Sequence, residues 1–165
     1  MKVSVALTTS IIAIMFVTIG HGSAQRENKL NEQTRHNLST AMHGEAFAYV
    51  KYLLYADHAR RSGDTELADL LEKTANTKRY EHFAEEAKLA VLVGSNSDNL
   101  KDAIRLEFYE SDTMYREFAQ QAEHAGDHEA ALLFDEIGKD EAASRDTFDA
   151  ALVPLLEKEG YSGNR

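Results

Sequence analysis

After residue 30 the apolar residues of this chain recur at alternating steps of four and three, forming four long stripes that are each broken near the middle by glutamate. Such steps hold side chains on one face of an α-helix. In the first stripe Leu38, Met42, Glu45, Tyr49, Tyr52, Ala56 and Ala59 follow one another. The second runs Leu67, Leu71, Thr74, Lys78, Glu81, Glu85, Lys88 and Leu92. Leu100, Ile104, Glu107, Glu110, Met114 and Phe118 form the third. The fourth is Phe134, Ile137, Glu141, Ser144, Phe148, Leu152 and Leu155. A carboxylate on an otherwise apolar face is costly unless its charge is compensated. Four helices that each aim one at a shared core therefore predict a bundle with a polar centre.

A single proline and a few clustered glycines agree with an all-α chain. The spacing predicts helices over Asn28–Arg61, Asp64–Val93, Asp98–Ala125 and Asp127–Lys158. Gly63 and Gly126 end two of them, with Asp64, Asp98 and Asp127 as the expected N-caps. Short breaks imply antiparallel neighbours within each pair. Gly63-Asp64-Thr65-Glu66 and Gly126-Asp127-His128-Glu129 fall at equivalent turns, which suggests an internal duplication.

The 165 residues allow one domain with one core. Residues 1–24 read as a signal peptide: Lys2, an apolar run through Ile19, then Gly22-Ser23-Ala24, with cleavage expected at Ala24–Gln25. A retained N-terminal anchor is the rival reading, although the run is short for a span of about 20 residues. The mature domain, 25–165, would be exported to the periplasm or the outside of the cell, with no membrane association after cleavage. Losing Lys2 takes its formal charge from -10 to -11, a balance that repels nucleic acid and anionic membranes and attracts cations. With no cysteine, the chain has neither disulfides nor thiolate ligands, and no iron centre held by four cysteines.

Iron and manganese bind carboxylate oxygen and imidazole nitrogen. Bundles hold metal pairs with one carboxylate from each of two helices and Glu-x-x-His pairs from the others. Glu107 and Glu110, three apart, share a helix face, Glu45 is a single ligand from the other hairpin, and Glu141 suits the bridging position.

Asn99-Leu100, Ala103-Ile104, Glu107, Tyr109-Glu110 and Thr113-Met114-Tyr115 together resemble the third helix of rubrerythrin-type ferritin-like proteins. Gly44-Glu45 resembles the start of that family's first ligand helix, and Thr74-Ala75 followed by Glu81-His82-Phe83 its second. Phe134, Ile137, Lys139 and Glu141 resemble its fourth. The resemblance implies a ferritin-like antiparallel four-helix bundle with a carboxylate-bridged di-iron centre. Its implied chemistry is reduction of peroxide or dioxygen, or oxidation of ferrous iron. Glu45, Glu107, Glu110 and Glu141 fill the family's ligand positions, with Glu81 and His82 as secondary candidates. Both expected Glu-x-x-His motifs are broken, and on the fourth helix Ser144 stands where histidine is expected.

On the second helix, taking His82 as the family histidine puts Arg79 at its glutamate partner, whereas unbroken spacing from Gly63 gives Lys78 and Glu81. At about 100° per residue Lys78 lies near the centre of the stripe and Arg79 on its flank, which favours Lys78 as the substituted position. A protonated lysine cannot ligate a metal, but it can neutralise a carboxylate. Three readings stay open: a di-metal centre with altered ligands, a mono-metal site, or a non-catalytic bundle in which an ion-pair network around Lys78 replaces the metal. Electrons for a redox centre would come from a separate donor or from ferrous substrate, and the bundle could assemble as a homodimer. Glu85 reads as solvated or as a support to the centre. His36, His43, His58, His124 and His128 read as surface residues.

Overall fold

The computed structural model describes residues 30–160, so the signal segment and its cleavage boundary lie outside the described residues. All regular structure among them is helical. Helix α1 spans Glu32–Arg61 and is capped by Asn31, whose side chain accepts from the Thr34 amide at 2.8 Å. Helix α2 (Thr65–Thr77), a π-helical segment (Lys78–Phe83) and helix α3 (Ala84–Ala90) form the second rod. Helix α4 (Asn96–Tyr109), a second π-helical segment (Glu110–Met114) and helix α5 (Tyr115–Ala125) form the third. Helix α6, His128–Lys158, is the fourth.

The two hairpin turns are built alike. Gly63 and Gly126 have φ of 86° and 85°, in the left-handed region where a side chain is disfavoured. At each, the glycine amide donates three residues back (Gly63 to Arg60, Gly126 to Glu123). The following aspartate amide donates five back (Asp64 to Ala59, Asp127 to Ala122). This Schellman pattern satisfies carbonyls that a helix end would leave orphaned. Asp64 caps α2 as expected, accepting from the Leu67 amide at 3.0 Å, whereas the Asp127 side chain makes no cap hydrogen bond.

Three helix boundaries differ from expectation; the first helix begins at Glu32, behind the Asn31 cap, rather than at Asn28. The second rod ends at Ala90, because Val91 turns left-handed with φ of 54° and closes a third Schellman motif through Val91 to Lys88 and Leu92 to Ala87. The third rod is capped by Ser95 rather than Asp98. Ser95 Oγ accepts from the Asp98 amide at 3.1 Å and donates to Asp98 Oδ2 at 2.7 Å. Serine followed three residues later by an acid is a capping-box arrangement, which places the cap at the serine.

The rods pair as two antiparallel hairpins, α1 with α2–α3 and α4–α5 with α6. Their closest approaches run over alanine: Ala56, Ala59 and Ala68 are buried together with Leu71 against them, while Ala75 and Ala131 are buried elsewhere. Small side chains let helix axes approach, but they bury little apolar area. No large side chain is fully buried, and no helix of one hairpin packs against a helix of the other among the described residues. The four rods of a ferritin-like bundle are present, but the shared core expected from the stripes is not closed within one chain. Among the described residues no helix is long and apolar enough to cross a membrane.

Candidate metal centre

Three of the expected ligands meet in the second hairpin. Glu107 lies near the end of α4, Glu110 opens the second π-helical segment, and Glu141 projects from α6. One carboxylate oxygen from each lies within 4.8 Å of the others. Glu107 Oε2 is buried without a hydrogen-bond partner. Gly138, one turn before Glu141, favours this convergence: a Cβ there would come to 3.2 Å from the Tyr115 Cβ, a tight contact that glycine avoids.

Crowding raises the proton affinity of Glu107 and Glu110. The Glu107 carboxyl is pushed up to about 7, first by its hydrogen bond with Glu141, then by burial, then by the charges of Glu141 and Glu110. Burial and the Glu141 charge push Glu110 up as well. The Tyr115 phenol is raised by burial and by the charges of Glu110 and Glu141. Arg145, one turn beyond Glu141 on α6, serves other carboxylates. Arg145 Nη1 donates to Asp112 Oδ2 at 2.7 Å and Nη2 to Asp146 Oδ1 at 2.9 Å.

The first hairpin treats its glutamate differently. Lys78 Nζ lies 3.2 Å from each oxygen of Glu45, donating a hydrogen bond to Oε1. His82 Nδ1 lies 3.4 Å from Oε2, which is buried and aligned with no donor. Arg79 sits to the side, donating to the Tyr49 hydroxyl at 3.2 Å and stacking over the Tyr49 and Tyr80 rings.

The π-helical segment decides which residues join Glu45. One inserted residue sets the following positions back by about 100°. His82 and Glu86 therefore take the face that an unbroken helix would give to Glu81 and Glu85. Glu81 is exposed in a groove with Tyr80 and Asp69, away from Glu45, and Glu85 is also exposed. Glu86, which the stripe did not single out, is partly buried with Oε2 lacking a partner. Its signal was present in the sequence as i+4 spacing from His82, but a stripe drawn at constant phase passes it by. Of the six expected ligands, Glu107, Glu110 and Glu141 form one group, Glu45 and His82 another, and Glu81 joins neither. The remaining histidines serve locally: His43 and His124 contact the carbonyls of Ser39 and Gln120, and His128 pairs with Glu123.

The donor set of the second hairpin fits a hard divalent cation. Three carboxylates converge and one oxygen is buried without a partner. In the first hairpin the ammonium of Lys78 pairs with Glu45.

A family model described as rubrerythrin matches residues 73–152, from the end of α2 through most of α6. The chain is 29% identical over 148 aligned residues to rubrerythrin of Porphyromonas gingivalis, covering 79% of this chain and 74% of that one. It is 27% identical over 148 residues to a relative of the same family name from Methanocaldococcus jannaschii, covering 76% and 72%. With the ordered glutamate motifs carried on four helical rods, these matches support a likeness of the chain to rubrerythrin-type ferritin-like proteins.

Proposed function

We propose that this chain is an exported, iron-binding rubrerythrin-like protein whose metal is held by Glu107, Glu110 and Glu141. Glu45 and His82 would approach the site from a first-hairpin unit. The observation that carries the reading is the convergence of three carboxylates around the unpartnered Glu107 Oε2. Iron there would supply redox chemistry toward peroxide or dioxygen, or oxidation of ferrous iron; manganese shares the same ligand preference. Without cation, Glu107 and Glu141 share a hydrogen bond that needs a proton, so a cation must displace that proton to bind. Tyr115 stays protonated beside the cluster and can donate to a carboxylate. Electrons would come from a separate donor or from ferrous substrate, since the chain has no cysteine to hold an iron relay of its own. Export rests on Lys2, the apolar run and Gly22-Ser23-Ala24.

The Lys78–Glu45 contact favours a second reading, a metal-free bundle stabilised by ion pairs. Anaerobic titration with ferrous iron, followed by metal analysis, separates the two. The first reading expects about one or two equivalents per chain and a raised melting temperature that a chelator reverses. No retained metal, with a melting temperature indifferent to chelator, would overturn it. Replacing Lys78→Glu together with Ser144→His should raise metal affinity further, because it restores an oxygen and a nitrogen donor.

A further inference from the structure

The basic side chains of the second hairpin are not spread evenly. Residues 96–160 hold seventeen acidic and six basic side chains. Three of those six, Arg116, Lys139 and Arg145, line one groove of about 410 Å³, and only Asp112 and Asp135 of the seventeen join them there. The groove follows the seam that α5 and the π-helical segment before it make with α6, over the small residues Ala119, Gly138 and Ala142. Asp112 and Arg116 stand roughly half a turn around their rod from Glu110 and Met114. The groove therefore opens away from the carboxylate cluster and contains none of its three glutamates.

Charge pairing inside the groove is incomplete. Lys139 Nζ pairs with Asp135 Oδ2 at 2.6 Å, both on α6. Arg145 uses three of its five N–H donors, one on Asp112 and two on Asp146, which lies outside the groove. Arg116 Nη2 is left 3.8 Å from Asp112 Oδ1, beyond hydrogen-bonding distance. Three cations thus share two carboxylates, a local balance of +1 on a segment whose formal charge is -11. Salt screens the wider negative field beyond about 8 Å at physiological strength, so the groups that line the groove set its affinity.

Guanidinium forks fit the paired oxygens of carboxylate and phosphate, and an ammonium adds a point charge. A carboxylate has two oxygens, enough for one fork. A phosphate monoester has three terminal oxygens and a charge of about -1.5 to -2 at neutral pH, which suits three cations carried on two helices. The volume falls in the range of small-molecule sites and leaves room for an organic part beside the phosphate.

We propose that this groove binds a small phosphate monoester, its phosphate held by Arg116, Lys139 and the remaining N–H groups of Arg145. Gln120, one turn beyond Arg116, supplies an amide for hydroxyl groups on the organic part. Binding uses no metal, so its success or failure is separate from that of the iron site.

The test is a titration of the full chain, stripped of metal and dialysed free of chelator, with glycerol phosphate, inorganic phosphate and succinate at fixed ionic strength. Glycerol phosphate should bind saturably with a Kd below about 1 mM. It should shift the NMR amide signals of Asp112, Arg116, Lys139 and Arg145, with inorganic phosphate weaker and succinate weakest. Arg116 and Lys139 are exposed, so the double variant Arg116→Gln with Lys139→Gln should melt like the parent. It should bind the ester about tenfold more weakly or worse, through loss of charge-assisted hydrogen bonds. Absence of saturation, shifts confined to other surfaces, or undiminished binding by the double variant each overturn the proposal. Succinate binding as tightly as the ester would reduce the groove to a general attraction for anions, and inorganic phosphate binding as tightly would remove the ester; either result also overturns it.

Discussion

The two hairpins place glutamate at the same level of similar rods and neutralise it by opposite means. In the first, Glu45 meets an internal cation, the Lys78 ammonium, within 3.2 Å. In the second, three carboxylates meet with no internal cation, and protonation near neutrality is the only relief the chain itself supplies. The difference shows how a lysine at mid-rod separates a paired carboxylate from a cluster of carboxylates that raise one another's proton affinity. Arg145 underlines the contrast, since it lies in the same hairpin as the triad but is committed to Asp112 and Asp146.

Removing Lys78 should break the comparison most severely. Lys78→Met leaves the half-buried Glu45 carboxylate uncompensated. A loss of about 2 kcal/mol in urea unfolding is expected, between the values for exposed and buried pairs. The double variant Lys78→Met with Glu45→Leu should recover most of it. If the single variant unfolds like the parent, Glu45 has another partner and the first hairpin is not self-neutralised.

Glu107→Gln should act in the opposite sense. Because the folded Glu107 carboxyl titrates near 7 against an ordinary value of 4.5, the metal-free fold binds a proton more tightly than the unfolded chain. The associated stability is present in full below about pH 4.5 and is lost as pH rises through 7. The neutral amide removes that dependence, so the metal-free variant should be more stable than the parent at pH 8 by about 1 kcal/mol. The gain should vanish near pH 4.5, and iron binding should be lost. A variant less stable than the parent at pH 8 would show that Glu107 is ionised there without penalty.

The smallest effect is expected at Arg145. Arg145→Gln frees Asp112 and should cost up to about 1 kcal/mol, as for a partly exposed pair. The titration midpoint of Glu107, followed by NMR, should stay where it is. A clear upward movement would mean that Arg145 does neutralise the triad, and the two hairpins would differ less than their geometry indicates.

Much of this was legible in the residues. Gly63-Asp64 and Gly126-Asp127 announced their turns because a left-handed position followed by a new helix has few residue solutions. Glu107 and Glu110 announced a shared face through their three-residue spacing. A stripe read at constant phase places Glu81 inward, whereas the π-helical segment Lys78–Phe83 shifts that phase, leaving Glu81 exposed and Glu86 partly buried. Asp98 was taken for a cap because the more local signal, Ser95 with an acid three residues on, starts the helix earlier.

The sequence by itself determined the four rods, the breaks between them and the glutamates at mid-rod, since helical period, glycine conformation and capping are set by neighbours in the chain. Only the tertiary structure decided that His82 rather than Glu81 turns to Glu45, that Lys78 takes the place of a cation there, and that three carboxylates gather around one buried oxygen in the second hairpin. It also decided that the hairpins do not close on each other within one chain. These outcomes depend on the phase of a π-helical segment and on the approach of α6 at Gly138. None of them is a property of spacing along a single helix.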